Sequence, residues 1–227
     1  MNILIACEES QEVCKAFRKK GHNAYSCDIQ ECSGGHPEWH ILNNALEIVK
    51  SQEFKTMDGI IHYIKKWDLM IAHPPCTHLA VSGASWFDKK RKSGEQKKAI
   101  LFFIELLNSN IEKICIENPV GIISGKYINK HYPEICKKFG LPIKPTQIIH
   151  PWQFGDSYEK TTCLWLKNLK KLNPTNITDK GEFVIFESRK KMPKWYADAY
   201  KYPKELRSKI RSKTPKGIAT AMSEQWG

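Results

Sequence analysis

The strongest constraint on this chain is an alternation in its first 120 or so residues. Short apolar runs take turns with amphipathic stretches, and glycine or acidic punctuation separates them. Asn2–Ala6 is a continuous apolar run that reads as a first strand. Residues 10–20 carry Val13, Ala16 and Phe17 at helical spacing and stop at Gly21, as a helix C-terminus should. Residues 23–27 predict a second strand ending at Asp28, residues 59–65 a helix, and residues 68–72 a third, buried strand. Residues 96–107 predict a helix with Ile100, Phe103, Ile104 and Leu107 on one face, and residues 114–116 a further strand. This β-α-β-α order implies an α/β fold, with a mostly parallel sheet and helices on both faces.

Ligands of such sheets bind beyond the carboxyl ends of the strands. The residues to inspect are therefore Cys7-Glu8-Glu9-Ser10, Asp28, His73-Pro74-Pro75-Cys76 and Glu117-Asn118-Pro119. An acid at the position of Asp28 accepts hydrogen bonds from ribose hydroxyls in nucleotide-type folds. The first strand is followed by two acids and no glycine-rich turn, so a pyrophosphate is disfavoured there. A cofactor with a cationic, phosphate-free end suits that loop, and S-adenosylmethionine is one. Cys76 follows two prolines that fix the backbone, which is how a nucleophilic thiol gains from positioning. If the strand before Glu117 neighbours the one before Cys76, the two side chains share a pocket, where a carboxyl would hold the polar edge of a base.

Beyond about residue 145 the pattern loosens around Pro145, Pro151, Pro174 and Pro193. Residues 162–166 still predict a strand, and Pro215 opens a closing helix over 215–226. The expected organisation is a catalytic core over 1–145, a reduced substrate-recognition and basic region over 146–214, and a closing helix over 215–227. The region past 145 would form a small irregular C-terminal extension.

Charge points to a partner. The formal net charge is +12. Residues 189–216 hold eleven Lys and Arg against two acids, interleaved with Trp195, Tyr196, Tyr200 and Tyr202. Basic residues among aromatics suit a nucleic-acid backbone and its bases. A second basic run, residues 89–92, falls in a predicted loop with Gly94. No apolar run is long enough for a membrane span, and the N-terminus lacks the features of a secretory signal, so a cytoplasmic location is expected. Several of the eight cysteines sit in apolar runs, as reduced buried thiols would. Cys27, Cys32, His36 and His40 have spacing open to zinc, against the simpler reading of a polar loop, and no metal is assigned.

Pro75-Cys76 after one buried strand and Glu117-Asn118-Pro119 after the next resemble the cytosine-C5 DNA methyltransferases, whose Pro-Cys and Glu-Asn-Val motifs occur in this order. The match includes the first strand, Asp28 and the C-terminal helix, and covers residues 1–120 best. The chain also resembles short phage and prophage members in His73-Pro74-Pro75-Cys76-Thr77, in Pro151-Trp152-Gln153-Phe154-Gly155, and in its ending from Gly217 to Gly227.

The resemblance implies a Rossmann-like methyltransferase sheet with S-adenosylmethionine as cofactor and DNA as partner. It implies Cys76 and Glu117 as catalytic residues, Glu8, Asp28 and Pro74 at the cofactor, and Pro75, Asn118 and Lys160 at the substrate. Lys160 stands in for the family's Gln-x-Arg-x-Arg run, which this chain lacks. The family's large target-recognition region has no room here either. Two alternatives remain open: methylation of RNA, single-stranded DNA or a free pyrimidine nucleotide, and a non-catalytic nucleic-acid binder on a degenerate methyltransferase fold. Amino-methylating enzymes place an acid or Asn before Pro-Pro and an aromatic after it; His73 and Cys76 argue against that reading.

Overall fold

The computed structural model describes residues 1–187, 189 and 191–227. Lys190, counted in the basic segment, and Ser188 lie outside the described residues. The elements in chain order begin with β1 (Asn2–Ala6), α1 (Glu12–Lys19), β2 (Asn23–Asp28), β3 (His40–Leu42), α2 (Ala45–Ile48), β4 (Glu53–Lys55), β5 (Ile61–Tyr63) and β6 (Leu69–Ala72). They continue with α3 (Phe87–Lys92), α4 (Glu95–Leu107), β7 (Lys113–Asn118), α5 (Lys126–His131), α6 (Pro133–Phe139), β8 (Gln147–Ile149) and β9 (Thr162–Lys167). The last are β10 (Phe183–Ile185), β11 (Lys191–Pro193), α7 (Lys194–Asp198), α8 (Lys204–Ser212) and α9 (Lys216–Trp226).

Seven strands form one Rossmann-like sheet in the order β3-β2-β1-β6-β7-β9-β8. All run parallel except β9, which lies antiparallel between β7 and β8. Alternation along β1 splits its side chains between two cores. Ile3 and Ile5 pack with Phe17 of α1 and Met222 and Trp226 of α9, while Leu4 and Ala6 pack with Ile100, Phe103 and Ile104 of α4. Phe17 and Phe103 are wholly buried, and truncating either to Ala costs about 3–5 kcal/mol. Pairing of β6 with β7 sets Ala72 beside Ile116, so the residues that follow leave the sheet as neighbours.

Two expectations are corrected. Residues 59–65 do not form a helix: β5 pairs antiparallel with β4 across a turn at Asp58-Gly59, with Gly59 at φ +93°. The Ile61-His62-Tyr63 run favours a strand, and Asp-Gly is a strong hairpin signal. The basic run 89–92 lies in α3 rather than a loop. Beyond residue 145, β8 and β9 complete the main sheet. Among the described residues no helix is long and apolar enough to cross a membrane.

Candidate active site

The parallel strands β1, β2, β6 and β7 all deliver their carboxyl ends to one edge of the sheet. After β1 the chain turns sharply, with Cys7 in the left-handed region at φ 59°. The turn aims Glu8 back at α1, where its carboxylate accepts the amides of Val13 (2.7 Å) and Cys14 (3.2 Å). Those amides belong to the first helical turn and have no intrahelical acceptor. Glu8 therefore fills the place where a helix N-terminus would otherwise bind phosphate. It is 4% exposed, and burial raises its pKa against the pull of His73 and the two amides. Glu8, expected at the cofactor, thus caps α1 and shapes the loop.

Asp28 closes β2 half-buried, its Oδ1 accepting the Gln30 amide at 2.9 Å. Burial pushes its pKa up. The next residue, Ile29, is 78% exposed, an apolar side chain that the sequence reading did not single out. The segment beyond folds back on the β1–α1 loop. Ser33 donates its hydroxyl to the Glu9 carboxylate and its amide to the Glu9 carbonyl, and Gln11 Oε1 accepts the His36 amide. A Cβ at Gly34 would stand 2.5 Å from the Gln11 Cβ, so only glycine permits this closure. Carboxylates beside an exposed apolar side chain, with the helix amides already taken, suit a cofactor with ribose hydroxyls, a flat base and a cationic end. S-adenosylmethionine fits that donor set; a dinucleotide pyrophosphate does not.

The four residues with zinc-like spacing are not brought together. Cys27 donates its thiol to the Asn43 carbonyl, and burial pushes its pKa up to about 12. His40 is bonded at both ring nitrogens, and His36 stacks on Trp39. No group of three or more potential ligands occurs among the described residues.

Cys76 is held from three directions. The His73 amide bonds to the Ala6 carbonyl at 2.9 Å, extending the β1–β6 pairing past the strand. The Asn118 side chain donates to the Pro74 carbonyl at 2.7 Å, tying the exit of β7 to the proline pair. The Cys76 carbonyl then accepts the amides of Leu79 and Ala80, both at 2.9 Å, starting a helical turn. Pro74 and Asn118 are buried, so both act on the loop that carries the thiol. Pro75 and Cys76 are exposed. The thiol is open to solvent on one side and walled by protein on the other. That partial burial, with the Glu117 carboxylate, raises its pKa, while Lys160 and Arg211 pull it down.

Glu117 sits across from Cys76, and its Oε2 lies 3.1 Å from His73 Nδ1. Burial alone would raise its pKa, but the bond and charge of His73, with Lys160, more than offset this and hold it below the ordinary value. Lys160 donates to the Arg211 carbonyl of α8 at 3.0 Å, so the aromatic and basic segment reaches this edge. Within that segment Arg211 lies 4.0 Å over the Tyr196 ring and Arg207 4.8 Å over Tyr200. Trp195 donates to the Glu159 carbonyl at 2.9 Å and packs on Tyr158. His73 and Arg211 were missed as site residues in the sequence. His73 was visible as a strand-end residue, whereas nothing local marked Arg211 among its basic neighbours. The Pro151-Trp152-Gln153-Phe154-Gly155 stretch buttresses α9: Phe154 is in the core, and Gly217 packs on its carbonyl.

No family model and no curated protein matches the chain. Several solved structures are similar in fold. One is a protein assigned as a DNA modification methyltransferase encoded within an Escherichia coli prophage (TM-score 0.47, 14% identity, 79% of this chain and 52% of that one). Another is the Dnmt2 methyltransferase of S. pombe (TM-score 0.40, 16% identity, 74% and 50%). A third is the Entamoeba histolytica methyltransferase EhMeth (TM-score 0.42, 13% identity, 78% and 57%). The chain spans about half the length of each.

Proposed function

We propose that the protein is an S-adenosylmethionine-dependent methyltransferase acting on C5 of cytosine in DNA, with Cys76 as the covalent nucleophile. The observation that carries this reading is the pairing of an exposed, backbone-fixed thiol with a part-buried carboxylate at adjacent strand ends. The bound sulfonium supplies an electrophilic methyl group. Asp28 would accept the ribose hydroxyls and Ile29 would cover the base. Pro74 would wall the cofactor side of the cleft and Pro75 the substrate side.

The thiolate of Cys76 bonds to C6 of the target ring, and the displaced electron pair is carried toward N3, which takes up a proton. Glu117 accepts hydrogen bonds from N3 and from the amino group and so favours that protonated ring. C5, now electron-rich, takes the methyl group. Water on the open side of the cleft, acting as base, takes the C5 proton; that pair forms the C5–C6 double bond and expels the thiolate, and N3 returns its proton to solvent. Lys160, with Arg211 behind it, lowers the cost of a thiolate and faces the anionic backbone. The ring leaves the duplex stack to reach this edge. Eleven basic residues among aromatics between 189 and 216 support a nucleic-acid substrate. Transfer of labelled methyl to duplex DNA, single-stranded DNA, RNA and free cytidine nucleotides tests the substrate class. Labelled duplex, with loss of label in Cys76→Ser, supports the proposal; label confined to RNA or nucleotides contradicts it.

A further inference from the structure

Two histidines in this chain, His40 wholly buried and His73 part-buried, differ in an informative way. His40 spends both ring nitrogens, Nδ1 with the Ser26 hydroxyl at 2.8 Å and Nε2 with the Gln30 carbonyl at 2.9 Å. That is how a structural imidazole is normally satisfied. His73 has one partner, Glu117, and its Nε2 is buried without any among the described residues. An unpaired buried nitrogen costs stability. The cost is sustained at a ring whose single bond is to the carboxylate that faces the nucleophile.

We propose that His73 is the positioning residue of the base-contacting carboxylate: its Nδ1–H holds Oε2 of Glu117 and leaves Oε1, which has no protein partner among the described residues, as a fixed acceptor for the substrate. An ionised carboxylate only accepts hydrogen bonds, so Nδ1 carries the proton. The groups acting around the ring are Glu117 on β7, Glu8 on the β1–α1 loop, and Cys76 and Lys160 through Glu117. With no second bond to compete, the ring stays turned toward Glu117.

The consequence is selectivity, and it rests on the proposed reaction. A fixed carboxylate meets two donors on a cytosine protonated at N3. On uracil or thymine it meets one donor and a repelling carbonyl oxygen. His73 therefore helps to keep Glu117 an acceptor and helps to exclude those rings.

The test compares His73→Gln, which retains an N–H donor, with His73→Leu, which has none. The Glu117 carboxyl is titrated by carbon-13 NMR in each folded protein, a readout that needs no turnover. The acid limb of kcat/KM for methyl transfer to duplex DNA is measured alongside. His73→Leu is expected to raise the Glu117 midpoint, to carry the acid limb upward with it, and to lower kcat about a hundredfold through loss of alignment. His73→Gln should fall between it and wild type. An unmoved Glu117 midpoint in folded His73→Leu overturns the proposal, as does an equal loss in both variants with no shift of the acid limb. If the midpoint moves but wild type methylates no cytosine, the pairing stands and the proposed reaction falls.

Discussion

The Asn118 bond to Pro74 links the fold to the nucleophile, and its removal has a calculable cost. The bond is short, at 2.7 Å, and Asn118 is 3% exposed. Replacing it with Ala deletes one buried hydrogen bond and leaves the Pro74 carbonyl facing a void. A lost bond of this kind costs about 1 kcal/mol net, and stranding the partner brings the total to about 2 kcal/mol. In a chain of this size that is a fall in Tm of about 4–8 °C. Asn118→Asp is the sharper perturbation. It keeps the shape but sets a carboxylate oxygen against the Pro74 carbonyl, so at neutral pH it should destabilise more than Ala. Protonation restores a donor, so the gap between the variants should narrow as pH falls toward the ordinary carboxylate range. Urea denaturation of both variants across pH measures this. If Asn118→Asp is no less stable than Asn118→Ala at neutral pH, the bond does not carry the load assigned to it.

Three further outcomes follow from the geometry. A Cβ at Gly217 would lie 1.8 Å from the Phe154 carbonyl, so Gly217→Ala must displace α9 and should cost about 3 kcal/mol in chemical denaturation. Glu117 raises and Lys160 lowers the Cys76 pKa, so at mildly alkaline pH Glu117→Gln should be alkylated at Cys76 faster than wild type and Lys160→Met slower, as read by mass spectrometry. Because the Glu117 pKa is depressed in the fold, its contribution to stability is present above the unfolded value, about 4.3, and is lost as pH falls through the folded one. Acid titration of stability should therefore show a loss in wild type that Glu117→Gln lacks.

Much of this architecture is legible in the sequence because local pattern and tertiary demand agree. Strands β1, β6 and β7 are apolar runs buried on both faces, and α1 and α4 present clear apolar stripes. The acids and the cysteine at their ends mark the working edge of the sheet. What escaped reading depends on contacts distant in sequence. Strands β3 and β8 have three residues each and exist because their neighbours in the sheet pair with them. The β4–β5 hairpin looked helical because a short run containing Ile61, Tyr63 and Ile64 carries no decisive period. The capping role of Glu8 needs the left-handed turn at Cys7, which no propensity predicts. The role proposed for His73 rests on a bond across 44 residues and on a nitrogen without a partner among the described residues.

The central claim is that Cys76 adds covalently to cytosine, and a trapping assay tests it most directly. Duplex DNA carrying 5-fluorocytosine is incubated with the protein and S-adenosylmethionine, and denaturation-stable protein–DNA adducts are sought. Fluorine at C5 cannot leave as a proton does, so the account predicts an adduct that maps to Cys76 and disappears in Cys76→Ser. No adduct while S-adenosylmethionine binds, or an adduct that survives Cys76→Ser, would contradict it.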